Sequence, residues 1–123
     1  MANELKILRK KVTGAEDIVL FKPVGFLDAH TFESMERELK KLFQNEKLFK
    51  VVVDLSGLKY ISSAGAGVFI GAIGTARDFG GDIVLLNPTI NVREVFDLLG
   101  LSTIFSIVDT EQEAIKCFEN AGQ

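Results

Sequence analysis

Hydrophobic and polar residues change their spacing along the chain, and each change predicts an element of secondary structure. Residues 5–12 and 17–25 are short and partly alternating, as β-strands with one solvent-facing side are. Gly14 lies between them, where a tight turn favours a flexible residue. The sequence therefore predicts an N-terminal hairpin, with Pro23 at a strand end or edge because proline donates no ladder hydrogen bond.

A helical spacing follows this hairpin. Apolar residues recur every three or four positions with charged residues between them, which indicates an amphipathic helix. The apolar positions are Phe32, Met35, Leu39, Leu42 and Phe43. Asp28 precedes the first of them, and a short acidic side chain suits the start of a helix. We predict that the helix begins there, with Asp28 as its N-cap.

The rest of the chain alternates buried strands with helices. Residues 50–55 form a β-branched run typical of a central strand covered on both faces. Further strands are predicted at residues 82–87 and 105–109, and further helices at residues 64–79, 91–101 and 111–120. This order predicts an α/β fold: a mostly parallel sheet of about five strands with a hairpin at one end, and four helices packed over it.

Composition limits the classes of function. A chain of 123 residues with 47% hydrophobic content predicts one domain over residues 1–123. The formal net charge of -3 argues against a nucleic-acid partner, because binding phosphates usually needs a basic surface. The chain has one cysteine, Cys117, and neither a signal peptide nor an apolar run of membrane-spanning length is visible. These features predict a cytoplasmic protein without membrane insertion.

The stretch "LKYISSAGAGVFIGAIG" places Ser62 and Ser63 where a helix begins. A serine there accepts a hydrogen bond from a free backbone N–H and typically stabilises a helix by about 1 kcal/mol. The same position sets a hydroxyl beside free N–H groups and the positive end of the helix dipole, where a phosphate would be well held. A helix cap and a modification site are both consistent with this pattern.

Catalytic chemistry has little support. A nucleophilic serine needs a base, and the chain has only His30 and no G-x-S-x-G turn. One histidine and one cysteine do not make a metal site. The glycines of "GAGVFIG" lie too far from the preceding strand for a dinucleotide fingerprint. We therefore predict no enzyme activity, cofactor or metal.

Two further features favour structural roles or a partner contact. Asp54 ends the central strand without the acidic pair or lysine of a phosphoacceptor site, so we predict that it accepts hydrogen bonds from the following loop. Gly67, Gly71 and Gly74 share one face of the predicted second helix. Something approaches that face closely, either the protein's own sheet or the surface of a partner.

Three stretches together resemble the STAS domain family, specifically the small bacterial anti-sigma-factor antagonists. They are "GFLDAHTFESMERELKKL", "VVVDLSGLKYISSAGAGVF" and "GGDIVLLNPTINVREVFDLLGLSTIFSIVDTEQEAI". The resemblance implies a non-enzymatic protein that binds an anti-sigma factor, which is also a serine protein kinase. That kinase would phosphorylate the antagonist and release it, and a phosphatase of the PP2C type would reset the switch.

The family motif of an aspartate, two hydroxyl residues and a glycine falls on Ser62, Ser63, Ala64 and Gly65. In the best-known antagonists the phosphorylated serine is the residue just before the glycine, which here is Ala64. Ser63 corresponds to the hydroxyl used in related stressosome STAS proteins. The resemblance therefore makes Ser63 the first candidate for phosphorylation and Ser62 the second.

The family's loop before the first helix matches "LDAHT", so the resemblance implies that Asp28 lies at the interface or beside the phosphosite. We expect a mostly uncharged partner surface around Ser63, formed by Tyr60, Ile61, Ala64, Gly65 and Gly67. A phosphate on Ser63 would add about two negative charges beside Asp28 and Asp54 and oppose burial under a partner.

Other interpretations stay open at this point. Ala64 is also consistent with a constitutive binding module that is never phosphorylated. A stand-alone STAS subunit of a membrane transport complex, for lipids or anions, is the alternative from another class. The N-terminal hairpin leaves open a homodimer.

Overall fold

The computed structural model describes residues 4–121, which form a twisted sheet covered by helices on both faces. The strands are β1 (Leu5–Val12), β2 (Ala15–Leu27), β3 (Lys50–Asp54), β4 (Leu58–Ile61), β5 (Asp82–Leu86) and β6 (Ser106–Val108). The helices are α1 (Phe32–Lys41), α2 (Ser63–Asp78), α3 (Ile90–Leu98) and α4 (Glu111–Ala121). A π-helical turn, Leu42–Glu46, extends α1.

The sheet confirms the predicted fold class. Its strand order is β1-β2-β3-β5-β6, with β4 pairing β2 beyond the end of β3. β1 and β2 form the antiparallel hairpin, and every other pairing is parallel. The sheet has six strands where we predicted about five. The additional strand is β4, whose four residues are too few to show a hydrophobic periodicity.

The prediction for Pro23 is wrong, because it lies inside the 13-residue strand β2. The N–H of Gly25 donates to Gly57, on the β4 side of β2, and the N–H of Phe26 donates to Glu4, on the β1 side. By alternation the nitrogen of Pro23 points to the β4 side. On that side, Phe21 pairs with β3 and Gly25 pairs with β4, and Pro23 lies opposite the gap between these two strands. The missing N–H of Pro23 therefore costs no hydrogen bond of the sheet.

The start of α1 also differs from the prediction. The helix begins at Phe32 with Thr31 at the N-cap position, so Asp28 is not the cap. Asp28 instead opens a turn before the helix: its carboxylate accepts the N–H of His30 at 2.9 Å, and its carbonyl accepts the N–H of Phe32. An aspartate side chain that binds its own backbone two residues on favours such a turn over a helix.

Helices cover the two faces of the sheet unequally. One face packs against α1, α2 and α3, and its buried side chains include Phe21, Phe69 and Phe96. The opposite face packs against α4 through Ala114 and Phe118. The buried side-chain nitrogen and oxygen atoms of the described residues all have hydrogen-bond partners.

Within residues 4–121, no helix is both long and apolar enough to span a membrane. The extent of the domain over residues 1–123 and the cytoplasmic location stay predictions.

Candidate functional site

The start of α2 is built by a serine cap. The hydroxyl oxygen of Ser62 accepts the N–H of Gly65 at 3.1 Å, and Ser62 has an extended backbone. Ser63 is the first helical residue, and its side chain is exposed. The prediction that a serine caps this helix is thus confirmed for Ser62, which leaves the hydroxyl of Ser63 facing solvent.

The first turn of α2 is seated on the end of β2. The N–H of Ser62 donates to the carbonyl of Leu27 at 3.0 Å. Gly65 comes so close to the same residue that an added Cβ would lie 2.4 Å from the Leu27 oxygen. Any larger residue there would clash with the backbone of β2, so Gly65 sets the position of Ser63 relative to the sheet.

Asp28 is held against this junction by Thr31. The Thr31 hydroxyl donates to the carbonyl of Phe26 at 2.8 Å and accepts the N–H of Asp28 at 2.9 Å. Asp28 is only 7% exposed and directly follows Leu27, whose carbonyl binds the start of α2. Sequence reasoning missed Leu27 and Thr31. The position of Thr31, three residues after an aspartate, could have indicated its role. The role of Leu27 depends on its backbone carbonyl, which has no signature in the sequence.

The residues that we expect at a partner surface differ in their exposure. Tyr60 and Ala64 are exposed, and Gly67 is half-buried in the open face of α2. The expectation is wrong for the side chain of Ile61, which is 1% exposed and packs in the core together with Leu58. It is also wrong for Gly65, which is buried against Leu27.

The glycine face of α2 does not pack on the protein's own sheet. A Cβ added at Gly67, Gly71 or Gly74 would meet no neighbouring group within 4 Å. Close approach by the sheet is therefore the wrong explanation, and the partner surface stays a prediction. The exposed side of α2 carries Ile70, and the helix has no charged residue before Arg77. A solvent-facing helix surface normally carries charges, so this one is unusual.

Asp54 has the predicted structural role. Its carboxylate accepts hydrogen bonds from the N–H and the hydroxyl of Ser56, at 3.0 and 2.7 Å. The expectation that Asp54 lies beside Ser63 is wrong. β2 pairs Phe21 with Val53 and Leu27 with Ile61, so about five strand residues, roughly 17 Å, separate the levels of Asp54 and the start of α2.

The other groups that could carry chemistry are the thiol of Cys117 and the acidic side chains. Burial raises the pKa of the Cys117 thiol, which keeps it protonated at neutral pH. Within residues 4–121, no three histidine, cysteine, aspartate or glutamate side chains come close enough to hold a metal ion.

Replacing each of the two serines by alanine should change the stability of the protein by different amounts. Ser62→Ala removes the cap and is expected to lower the free energy of unfolding by about 1 kcal/mol. Ser63→Ala removes an exposed hydroxyl and should change it by less than about 0.5 kcal/mol. Urea denaturation measures both; equal losses would contradict the assignment of Ser62 as the cap.

The fold begins with an antiparallel hairpin followed by a helix and a parallel strand, and a serine caps the second helix where it meets the end of β2. These features can be compared with those of known protein families. The sequence matches the STAS domain family over residues 9–114. The chain belongs to this family.

Named relatives share most of the chain. BtrV of Bordetella bronchiseptica, provisionally described as an anti-sigma factor antagonist, is 34% identical over 98 residues, which are 79% of this chain and 83% of BtrV. The anti-sigma-B factor antagonist of Listeria monocytogenes is 30% identical over 89 residues, covering 72% of this chain and 77% of the relative.

The fold is also that of a solved antagonist. The unphosphorylated form of SpoIIAA superposes with a TM-score of 0.76 at 27% identity, covering 93% of this chain and 96% of SpoIIAA. The phosphorylated form of the Bacillus protein superposes with a TM-score of 0.70 at 25% identity, covering 91% and 98%.

Proposed function

We propose that this protein is an anti-sigma-factor antagonist. It binds an anti-sigma factor that is also a serine kinase, and phosphorylation of Ser63 by that kinase ends the binding. The observation that carries the proposal is the start of α2, where an exposed serine hydroxyl opens a solvent-facing helix surface without charge. The names of the relatives BtrV and the Listeria antagonist support the same function.

The surface around Ser63 is suited to burial under another protein. Ala64, Gly67 and Ile70 expose small or apolar groups along one side of α2, and burying them costs no charge desolvation. Tyr60 adds an aromatic ring at 48% exposure, in tilted contact with Phe26 at a centroid distance of 6.5 Å. Tyrosine is enriched in protein interfaces because it offers a large contact area with a polar tip.

Ser63 is a better phosphoacceptor than Ser62 by geometry. Its hydroxyl is exposed, whereas that of Ser62 is half-buried and accepts the N–H of Gly65. A kinase needs the attacking oxygen to reach the phosphate, so the engaged cap is the poorer substrate. Ala64 leaves no hydroxyl at the following position.

The remaining parts of the switch belong to other proteins. The kinase supplies ATP and the transfer machinery, a phosphatase of the PP2C type removes the phosphate, and this chain acts by binding alone. It works in the cytoplasm, where the sigma factor is. No observation on the structure favours the transport-subunit alternative.

Reconstitution tests the antagonist function directly. The anti-sigma factors of the native organism are purified as complexes with their sigma factors, and the unphosphorylated chain is added to each complex. We expect one sigma factor to be released, as seen by size-exclusion chromatography. Release of none by the wild-type chain would overturn the proposal.

A pair of variants locates the contact surface. Gly67→Arg places a large cation on the open face of α2, where the fold leaves room for it, and should weaken release by at least about tenfold. Gln112→Arg adds the same charge on α4, over the other face of the sheet, and should release like wild type. Equal release by both variants would show that α2 is not the contact surface.

A further inference from the structure

The strand β1 is the outer strand of the sheet, and its free edge is long. It runs over eight residues, and among residues 4–121 its only strand partner is β2. The N–H of Phe26 donates to the carbonyl of Glu4, so the backbone groups of alternate residues from Glu4 onward point to β2. The groups of Leu5, Ile7, Arg9 and Lys11 therefore point outward, where a further strand would bind.

This edge is basic although the protein is acidic. β1 contains four cations, Lys6, Arg9, Lys10 and Lys11, in a chain of net charge -3. Arg9 binds Glu46 at 2.7 Å, and Lys10 lies 3.5 Å from Glu111. Lys6 and Lys11 are exposed and form no ion pair with any residue of the described part. Leu8 lies among these cations at 42% exposure.

The charges select which strand this edge accepts. A second copy of β1 would place lysines opposite lysines, and like charges directly opposite each other destabilise a strand pair. An extended segment with acidic residues would instead place a carboxylate opposite each cation, while its backbone completes the outward hydrogen bonds. The edge thus rejects its own copy and complements an acidic strand.

We propose that the free edge of β1 binds an extended acidic segment of a partner protein as an added antiparallel strand. This inference goes beyond the proposed function, because neither α2 nor Ser63 takes part. The two surfaces do not overlap: α2 packs over one face of the sheet, whereas the added strand extends its edge. A partner bound at the edge leaves Ser63 accessible.

The test uses a synthetic probe on the full chain. The probe is a labelled eight-residue peptide with glutamate opposite the four cations of β1 and valine opposite Leu8 and Ile7. Fluorescence anisotropy should show saturable binding. The matched peptide with N-methyl groups on the amides that face β1 keeps the charge and loses the backbone donors, so it should bind at least about tenfold more weakly. Absence of binding by the first peptide, or equal binding by both, would overturn the proposal.

Two charge variants locate the binding to the edge. Lys6→Glu with Lys11→Glu should weaken the unmethylated peptide by at least about tenfold. Lys59→Glu with Lys116→Glu changes the net charge equally at other exposed positions and should bind like wild type. Equal weakening in both double variants would mean that net charge alone attracts the peptide. Dimerisation through β1, measured by sedimentation velocity, would also contradict the proposal.

Discussion

Replacing Gly65 by alanine is expected to lower the free energy of unfolding by about 2 to 3 kcal/mol, a large part of the roughly 5 to 15 kcal/mol that stabilises a domain. The new Cβ would lie 2.4 Å from the carbonyl oxygen of Leu27 and 2.9 Å from its Cγ. Moving α2 away would relieve this overlap, but it would also break the hydrogen bond from Ser62 to the same carbonyl.

A second glycine in the same helix provides the matched control. A Cβ at Gly71 would meet no neighbouring group within 4 Å, so Gly71→Ala should raise the free energy of unfolding by up to about 1 kcal/mol through helix propensity alone. Urea denaturation of the three proteins gives both changes. If Gly65→Ala were as stable as Gly71→Ala, α2 would not be seated on Leu27 as the structure has it.

The glycines of α2 therefore have two different structural roles. Gly65 allows the helix to reach β2 and fixes where Ser63 stands, whereas Gly67, Gly71 and Gly74 leave one helix face without side chains. The sequence alone grouped the latter three by their spacing and left open what approaches them. Only the positions of the neighbouring elements separate the two roles.

The elements that sequence predicted well are those with a local physical cause. The run "KVVVDL" predicted the central strand correctly, because a strand that is buried on both faces carries consecutive β-branched residues and shows no alternation of apolar and polar side chains. The serine cap of α2 followed from the chemistry of helix ends, and Gly80 ends the same region with a positive φ of 83°.

The predictions that failed depend on contacts between distant parts of the chain. β4 exists because β2 extends past the end of β3 and offers it an edge. Asp28 forms a turn instead of a cap because Thr31 and the carbonyl of Phe26 fix the loop. Ile61 looked like a surface neighbour of the serines, but its side chain packs in the core against residues from other elements. None of these follows from local composition.

Phosphorylation of Ser63 is expected to weaken binding to the anti-sigma factor by about 100-fold or more while leaving the fold intact. The phosphate adds about two negative charges at the surface that the partner must cover, next to the loop of Asp28. The helix itself tolerates this charge, because the N–H groups of Ser63 and Ala64 lie in the first turn, at the positive end of α2.

The fold and the binding can be measured separately. Ser63→Asp carries part of the charge and should keep or slightly raise the free energy of unfolding, by about 0.3 to 1 kcal/mol, while the affinity for the anti-sigma factor falls. Gln112→Asp puts the same charge in the first turn of α4, away from the proposed interface, and should bind like wild type. Isothermal titration of both variants and of the Ser63 phosphoprotein gives the affinities. Unchanged affinity of the phosphoprotein would rule out a switch at Ser63 and favour a constitutive binder.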